Sequence, residues 1–294
     1  MRLGYACINT TLDKEGKFKT ITVKKALIMD KIDLINKIKG ITIDNLYTTY
    51  KILQWNVQHN IFMYRLTSNT IPLATHELLK DWQWWNDKDI IRLCGKIRKY
   101  VRENNINISF HPDQFCVINS PKDEVFKMAQ DILEYHNRLC KLLGCNVLVL
   151  HIGGVYGNID AAIQRFIDNF KRLPKDIQSK IVLENDDKSF TISQVLYICR
   201  KLNRPMVLDL HHYRVNNNNE NLEDYIDRIK NTWSGKIPAI HLSSGRDNDL
   251  DRKHADYISQ EDFQWALDIT KGNFNIMLEC KKKEQAIFKL LGDE

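Results

Sequence analysis

A chain of 294 residues with 43% hydrophobic and 27% charged content is too apolar to be disordered and long enough to bury a large core, and its net charge of +6 is compatible with a polyanionic partner without requiring one. Seven cysteines, an odd number with no C-x-x-C spacing, argue against a disulfide framework and read as reduced, mostly buried thiols of an intracellular, reducing compartment. No apolar run approaches the roughly 18 residues of a membrane span, and "MRLGYACINTTLDKEG" has no apolar signal region, so no membrane association is expected.

In chain order, the first β-rich run, "RLGYACI" (2–8), leads into the polar "NTTLDKEG". An amphipathic segment over 22–39 follows, then a strand "FMYRLT" (62–67) and a loop containing "PLATHE". The tryptophans of "DWQWW" are expected to pack or to cap a helix, and a helix is predicted over 89–105. The strand "INISFH" (106–111) ends in an unusual loop, "PDQF", before a helix over 123–144 with Gly144 as its C-cap. The strands "NVLVLHIGG" (146–154), "KIVLEN" (180–185) and "PMVLDLHH" (205–212) come next. A polar loop over 214–224 leads on to "PAIHLSS" (238–244), a helix over 261–272 and "FNIMLEC" (274–280). Strands alternating with helical patterns imply right-handed βαβ units and a parallel sheet. Eight strands favour an α/β protein closed into a (β/α)8 TIM barrel, a single catalytic domain over 1–294. An open doubly wound sheet is the alternative, but the first strand is not followed by G-x-G-x-x-G.

Six of the strands close with residue types that bind metals. These are His111, His151, Glu184, Asp209 with His211 and His212, His241, and Glu279; His76, His254 and Asp256 follow in loops. In a barrel the C-terminal strand ends converge on one mouth. Any one such residue is ordinarily a hydrogen-bonded rim residue. Six strands doing so together would desolvate many charges at once, which shared cations compensate. Imidazoles mixed with carboxylates, without thiolates, suit Zn²⁺ or Mn²⁺ better than Ca²⁺ or Mg²⁺. The number of ligands implies two or three ions, an arrangement suited to phosphodiester hydrolysis. His59 and His136 lie in helical patterns and read as structural. If the sixth strand stays extended, Asp209 shares a face with His211 rather than His212.

The segments "LGYACIN", "RLTSNTIPLATH", "SFHPDQF", "LVLHIGGVYG", "VLENDD", "LDLHH", "IHLSS", "HADYIS" and "MLECKKKE", in this order and spacing, resemble the UV damage endonucleases. These are relatives of the trinuclear AP endonucleases among the xylose-isomerase-like TIM barrels, and the resemblance spans nearly the whole chain. It implies that His76, His111, His151, Glu184, Asp209, His212, His241, His254 and Glu279 bind two or three divalent ions, manganese first and zinc or magnesium as alternatives, with Glu184, Asp209 and Glu279 at the catalytic centre. It implies cleavage of damaged double-stranded DNA on the 5′ side of pyrimidine dimers, 6-4 photoproducts and abasic sites by a monomer, leaving a 3′-hydroxyl and a 5′-phosphate. Gln114 and Phe115 would enter the duplex beside the lesion, and Tyr5 and Asn9 match further lesion contacts.

Arg65, Arg246, Lys281 and Lys283 are candidate phosphate contacts at strand ends. The basic run at 96–102 reads as the solvated face of a helix. Two departures from the family pattern stand out: Phe115 where tyrosine is frequent, and Ala239 where a lysine usually precedes the histidine by two residues. The competing readings are an abasic-site endonuclease on the same barrel, a metal-dependent sugar isomerase, and a metal-poor DNA-binding barrel suggested by Ala239.

Overall fold

The structure, a computed structural model, describes residues 1–113 and 115–292. Eight parallel strands close on themselves in sequence order: β1 (Leu3–Ala6), β2 (Met63–Leu66), β3 (Asn107–Phe110), β4 (Leu148–His151), β5 (Ile181–Glu184), β6 (Met206–Asp209), β7 (Ala239–Leu242) and β8 (Asn275–Leu278). The expected (β/α)8 barrel is therefore present. Its outer layer is built from α1 (Val23–Ala26), α2 (Lys31–Gln58), α3 (Lys88–Glu103), α4 (Asp123–Leu143), α5 (Ile159–Arg172), α6 (Lys175–Gln178), α7 (Ile192–Leu202), α8 (Leu210–Val215), α9 (Glu223–Asn231), α10 (Gln260–Thr270) and α11 (Glu284–Leu291). Among the described residues no helix is long and apolar enough to cross a membrane.

Side chains alternate across each strand, and this alternation divides the core in two. Leu148, Leu150, Leu183, Leu208, Ile240 and Leu278 belong to the large core that also takes in the helices. Val149, Val182, Val207 and Trp233 form a separate small cluster, with Ala239 packed against it. Two residues further along the same strands, on the same face as these small-cluster residues, come His151, Glu184, Asp209 and His241. The valines fill the barrel, and the chemistry sits on the next layer towards the mouth.

The helix expected over 22–39 is two helices. Thr22 caps α1, and the Asp30 side chain accepts from Ile32 N and Asp33 N to start α2. α2 then runs on through "GITIDNLYTTY", whose β-branched residues favour helix weakly, because Leu34, Ile38, Leu46, Ile52 and Leu53 bury one face. Gly144 does cap α4, with φ of 80° and its N–H on Cys140 O. All seven cysteines are free. Burial raises the thiols of Cys94 and Cys280, to about 12 and about 11, which suits packing rather than nucleophilic chemistry.

The C-terminal helix is tied to the loop after β1 by one buried carboxylate. Glu284 Oε1 accepts from the backbone N–H and the hydroxyl of both Thr10 and Thr11, at 2.5–2.9 Å. Glu284 also opens α11, where the helix dipole favours a negative charge. Glu284→Ala would strand these donors, so a loss of about 2–4 kcal/mol is expected, read as a lower urea midpoint at unchanged slope. Glu284→Gln, which keeps an acceptor, should lose less; equal stability of all three proteins would contradict this role.

Candidate metal centre

Two groups of side chains converge at the C-terminal end of the barrel. His111, His151 and Glu184 form the first; Glu184, Asp209, His241 and Glu279 form the second. Within each group the potential ligand atoms lie within 4.8 Å of one another. Glu184, at the end of β5 and fully buried, belongs to both.

The hydrogen bonds leave several ring nitrogens facing carboxylates. His111 Nδ1–H donates to Pro112 O at 2.9 Å, and Nε2 faces Glu184 Oε2, also at 2.9 Å. His241 Nδ1 lies 2.5 Å from Glu184 Oε1 and 3.0 Å from Glu279 Oε1. His151 Nε2 is 3.4 Å from Glu184 Oε2. A nitrogen lone pair against a carboxylate is repulsive unless a proton or a metal ion lies between them.

The charge balance makes the same point. Burial opposes charge on His241, but the Glu184 and Glu279 carboxylates outweigh it and push its pKa up to about 10. His212 is raised to about 9 against its burial, chiefly by Asp209. Burial would raise Glu184 and Glu279, yet the histidines around Glu184, and Arg65 with His241 beside Glu279, hold both well below the usual carboxylate range. Asp209 goes the other way, raised by burial. His241 and His212 thus hold the positive charge that divalent ions would supply, whereas burial lowers His151 to about 4 and leaves it a neutral donor.

Asp209 is fully buried, and its Oδ2 has no hydrogen-bond partner. Its main chain is clamped by Asn185, whose Nδ2 donates to Asp209 O and whose Oδ1 accepts from Asp209 N, both at 2.9 Å. An orphaned carboxylate oxygen among imidazoles, held in place through its backbone, has the chemistry of a cation ligand. These groups could hold metal ions.

β6 ends at Asp209, and α8 begins at Leu210. The Asp209 side chain caps that helix by accepting from His212 N at 2.7 Å, which brings His212 Nδ1 within 3.7 Å of Asp209 Oδ2. His212 Nδ1–H donates to Asn185 O at 3.0 Å. An extended strand would have paired Asp209 with His211; the helical turn selects His212. His211 instead donates from Nε2 to Asp251 O at 2.9 Å, tying α8 to the loop after β7.

His76 and His254 fall in neither group. His76 caps a short 3₁₀ turn, its Nδ1 accepting from Leu78 N. His254 forms an antiparallel bridge with Gly245, its ring 6.1 Å from that of His211. Asp256 is exposed and pairs with Lys281 at 3.5 Å.

The expected DNA contacts divide. Phe115 is 67% exposed in the loop after β3, whereas Gln114 lies outside the described residues. Tyr5 and Asn9 differ from expectation: both are fully buried, Asn9 Nδ2 donating to the Tyr5 hydroxyl, which donates to Asn56 Oδ1 at 2.6 Å. Neither reaches the surface, because the pleat turns Tyr5 towards Tyr64 and the helices rather than towards the mouth. Arg65, expected at a phosphate, is likewise buried and pairs with Glu279 Oε1 at 2.6 Å. Arg246 is held by Asp247 and Asp251, and Lys283 is the residue just before α11.

Asn185 and Glu284 were not singled out from the sequence. Asn185 carried a signal, its place directly after Glu184 in "LENDD"; Glu284 lay at the end of a lysine run whose cations drew the attention as candidate phosphate contacts. Ala239 lines a cavity of about 610 Å³ that runs from the N-terminal end of the barrel, past Val149, Val207 and Met277, to His241. A side chain longer than alanine at this position has room to extend beneath the centre.

The model of the family described as UV-endonuclease UvdE matches residues 1–294. A UV DNA damage endonuclease of Bacillus mycoides (strain KBAB4) is 37% identical, the alignment covering 99% of this chain and 93% of the relative. The crystal structure of SacUVDE superposes with a TM-score of 0.88 at 32% identity, over 100% of both chains. Endonuclease IV from Thermus thermophilus shares the fold, with a TM-score of 0.59 at 11% identity over 99% of this chain and 97% of that one.

Proposed function

The chain belongs to the UV-endonuclease UvdE family, and from that premise we propose that it nicks damaged double-stranded DNA on the 5′ side of UV photoproducts, leaving a 3′-hydroxyl and a 5′-phosphate. The observation that carries this reading is the position of Glu184, shared between two donor groups at the mouth of a barrel. Residues 1–294 act as a single catalytic domain and as a monomer, in a reducing intracellular compartment that suits seven free cysteines.

His111, His151 and Glu184 would hold one divalent ion, and Glu184, Asp209, His241 and Glu279 another; His212 adds an imidazole beside Asp209. The two donor groups would account for two ions, and a third would draw on His76 and His254, which fall in neither group. The mixed imidazole and carboxylate set favours Mn²⁺, with Zn²⁺ or Mg²⁺ as alternatives. Bound ions would supply positive charge to the phosphoryl oxygens and lower the pKa of the attacking water.

The protein's own residues orient this centre. Arg65 fixes Glu279 by a buried ion pair, Asn185 fixes the backbone of Asp209, and Pro112 O sets the tautomer of His111. Phe115 offers an exposed ring to fill the space of displaced bases, with Gln114 beside it in sequence; unstacking is cheaper at a damaged step. Arg246, Lys281 and Lys283 lie on loops at the C-terminal face, where they would track phosphates. Tyr5 and Asn9 act from beneath, shaping the loop after β1.

The test is incision of an end-labelled duplex carrying one thymine dimer, with Mn²⁺ and with chelator. A single nick 5′ to the dimer that a polymerase can extend, abolished by chelator, is expected. Cleavage confined to an abasic duplex would favour the abasic-site reading instead, and no cleavage of either would overturn both.

A further inference from the structure

We propose that Tyr156 is a second aromatic contact for DNA, presented by the loop after β4 on a frame shared with Phe115. The proposal rests on the reading that damaged DNA is the substrate.

The loop leaves β4 immediately after His151, so it starts at the candidate centre. Tyr156 is 48% exposed and has φ of 49°, in the left-handed region that a bulky side chain rarely adopts, and Gly157 follows with φ of 79°. An idle surface position in this conformation would favour glycine or asparagine. Gly154 gives the ring its seat: a Cβ there would lie 3.2 Å from Tyr156 Cε2.

Arg165, on α5, lies with its guanidinium carbon 5.4 Å from the centre of the Tyr156 ring. Its Nε donates to Asn119 O at 2.8 Å, while one terminal nitrogen is buried without a hydrogen-bond partner. Arg165 makes no ion pair among the described residues. A cation without an acid beside it stiffens a half-exposed ring from behind and leaves the ring's open face to stack on a base.

The loop is also fastened to the one that carries Phe115. Asn119 Nδ2 donates to Gly154 O at 2.8 Å, and Asn169 Nδ2 donates to Ile118 O at 2.7 Å. Gly153, at φ of 110°, packs so closely that a Cβ would fall 2.3 Å from Asn119 Oδ1 and 2.8 Å from Val117 Cγ1. Phe115 and Tyr156 therefore extend from two loops that hydrogen-bond to each other, one following the β3 strand that leads to His111 and the other following His151. A duplex gripped at this face meets two rings.

The experiment uses the Mn²⁺-loaded full chain and a duplex with one thymine dimer, comparing wild type with Tyr156→Gly, Tyr156→Asn and Tyr156→Phe. Both ring-deleting variants tolerate a positive φ, so melting temperatures at or above that of the wild type are expected. KM for the lesion duplex should rise about tenfold, as expected for the loss of one base–aromatic stack, with kcat within about twofold. Tyr156→Phe should match wild type, because the ring rather than the hydroxyl is used. Unchanged KM in the glycine and asparagine variants would overturn the proposal, as would an equal loss in the phenylalanine variant. Failure of the wild type to cut the lesion duplex would instead remove the premise; weaker binding of undamaged duplex by the glycine variant would still report the contact.

Discussion

Glu184→Ala is expected to abolish incision of the lesion duplex, lowering kcat by about 10³-fold or more while the barrel stays folded. Glu184 serves both donor groups, so its removal takes a carboxylate from each at once. The charge stabilisation that bound ions give a phosphoryl transition state amounts to several kcal/mol, and each ~1.4 kcal/mol is a tenfold change in rate. The substitution also frees His111 and His241 from the carboxylate that both now face. Glu184→Gln keeps the volume and loses the charge, and should fall nearly as far. Unchanged far-UV circular dichroism with lost incision supports the assignment; either variant retaining more than about a tenth of wild-type kcat would refute it.

Phe115→Ala is expected to leave metal content unchanged and to lower kcat/KM on the lesion duplex by about 10–100-fold, the equivalent of ~1–3 kcal/mol of base stacking. The ring is exposed in a loop whose turn is set by Asp113, which accepts from Phe115 N at 2.9 Å, so truncation removes little packing. Preference for irradiated over abasic duplex should be lost, because an abasic site needs less displacement of bases. Equal rates for wild type and variant on both substrates would rule out a wedge at this position.

The barrel and most of the centre were legible in the chain because both follow from simple periodicities. Strand ends in a (β/α)8 barrel converge wherever they lie in sequence, so a histidine or glutamate closing an apolar run carries positional information. His111, His151, Glu184, Asp209, His241 and Glu279 meet on that basis. What the pattern hides is the local backbone and the direction of each side chain. His212 rather than His211 turns towards Asp209 because a helix begins one residue after β6 ends, and nothing in "LDLHH" marks that boundary.

Tyr5 sits on a strand near the mouth, yet the pleat directs it into the helix layer. Arg65 reads as a phosphate ligand until Glu279 is placed beside it, because an ion pair spanning more than two hundred residues leaves no trace in local sequence. The boundary between α1 and α2 was signalled by Asp30 but masked by the apolar rhythm on both sides.

The most direct measurement is anomalous diffraction from crystals of the full chain equilibrated with Mn²⁺. Two peaks are predicted, one among His111, His151 and Glu184 and the other among Glu184, Asp209, His241 and Glu279, so that a single glutamate touches both. Peaks elsewhere on the molecule, or none within ligand distance of Glu184, would contradict the account.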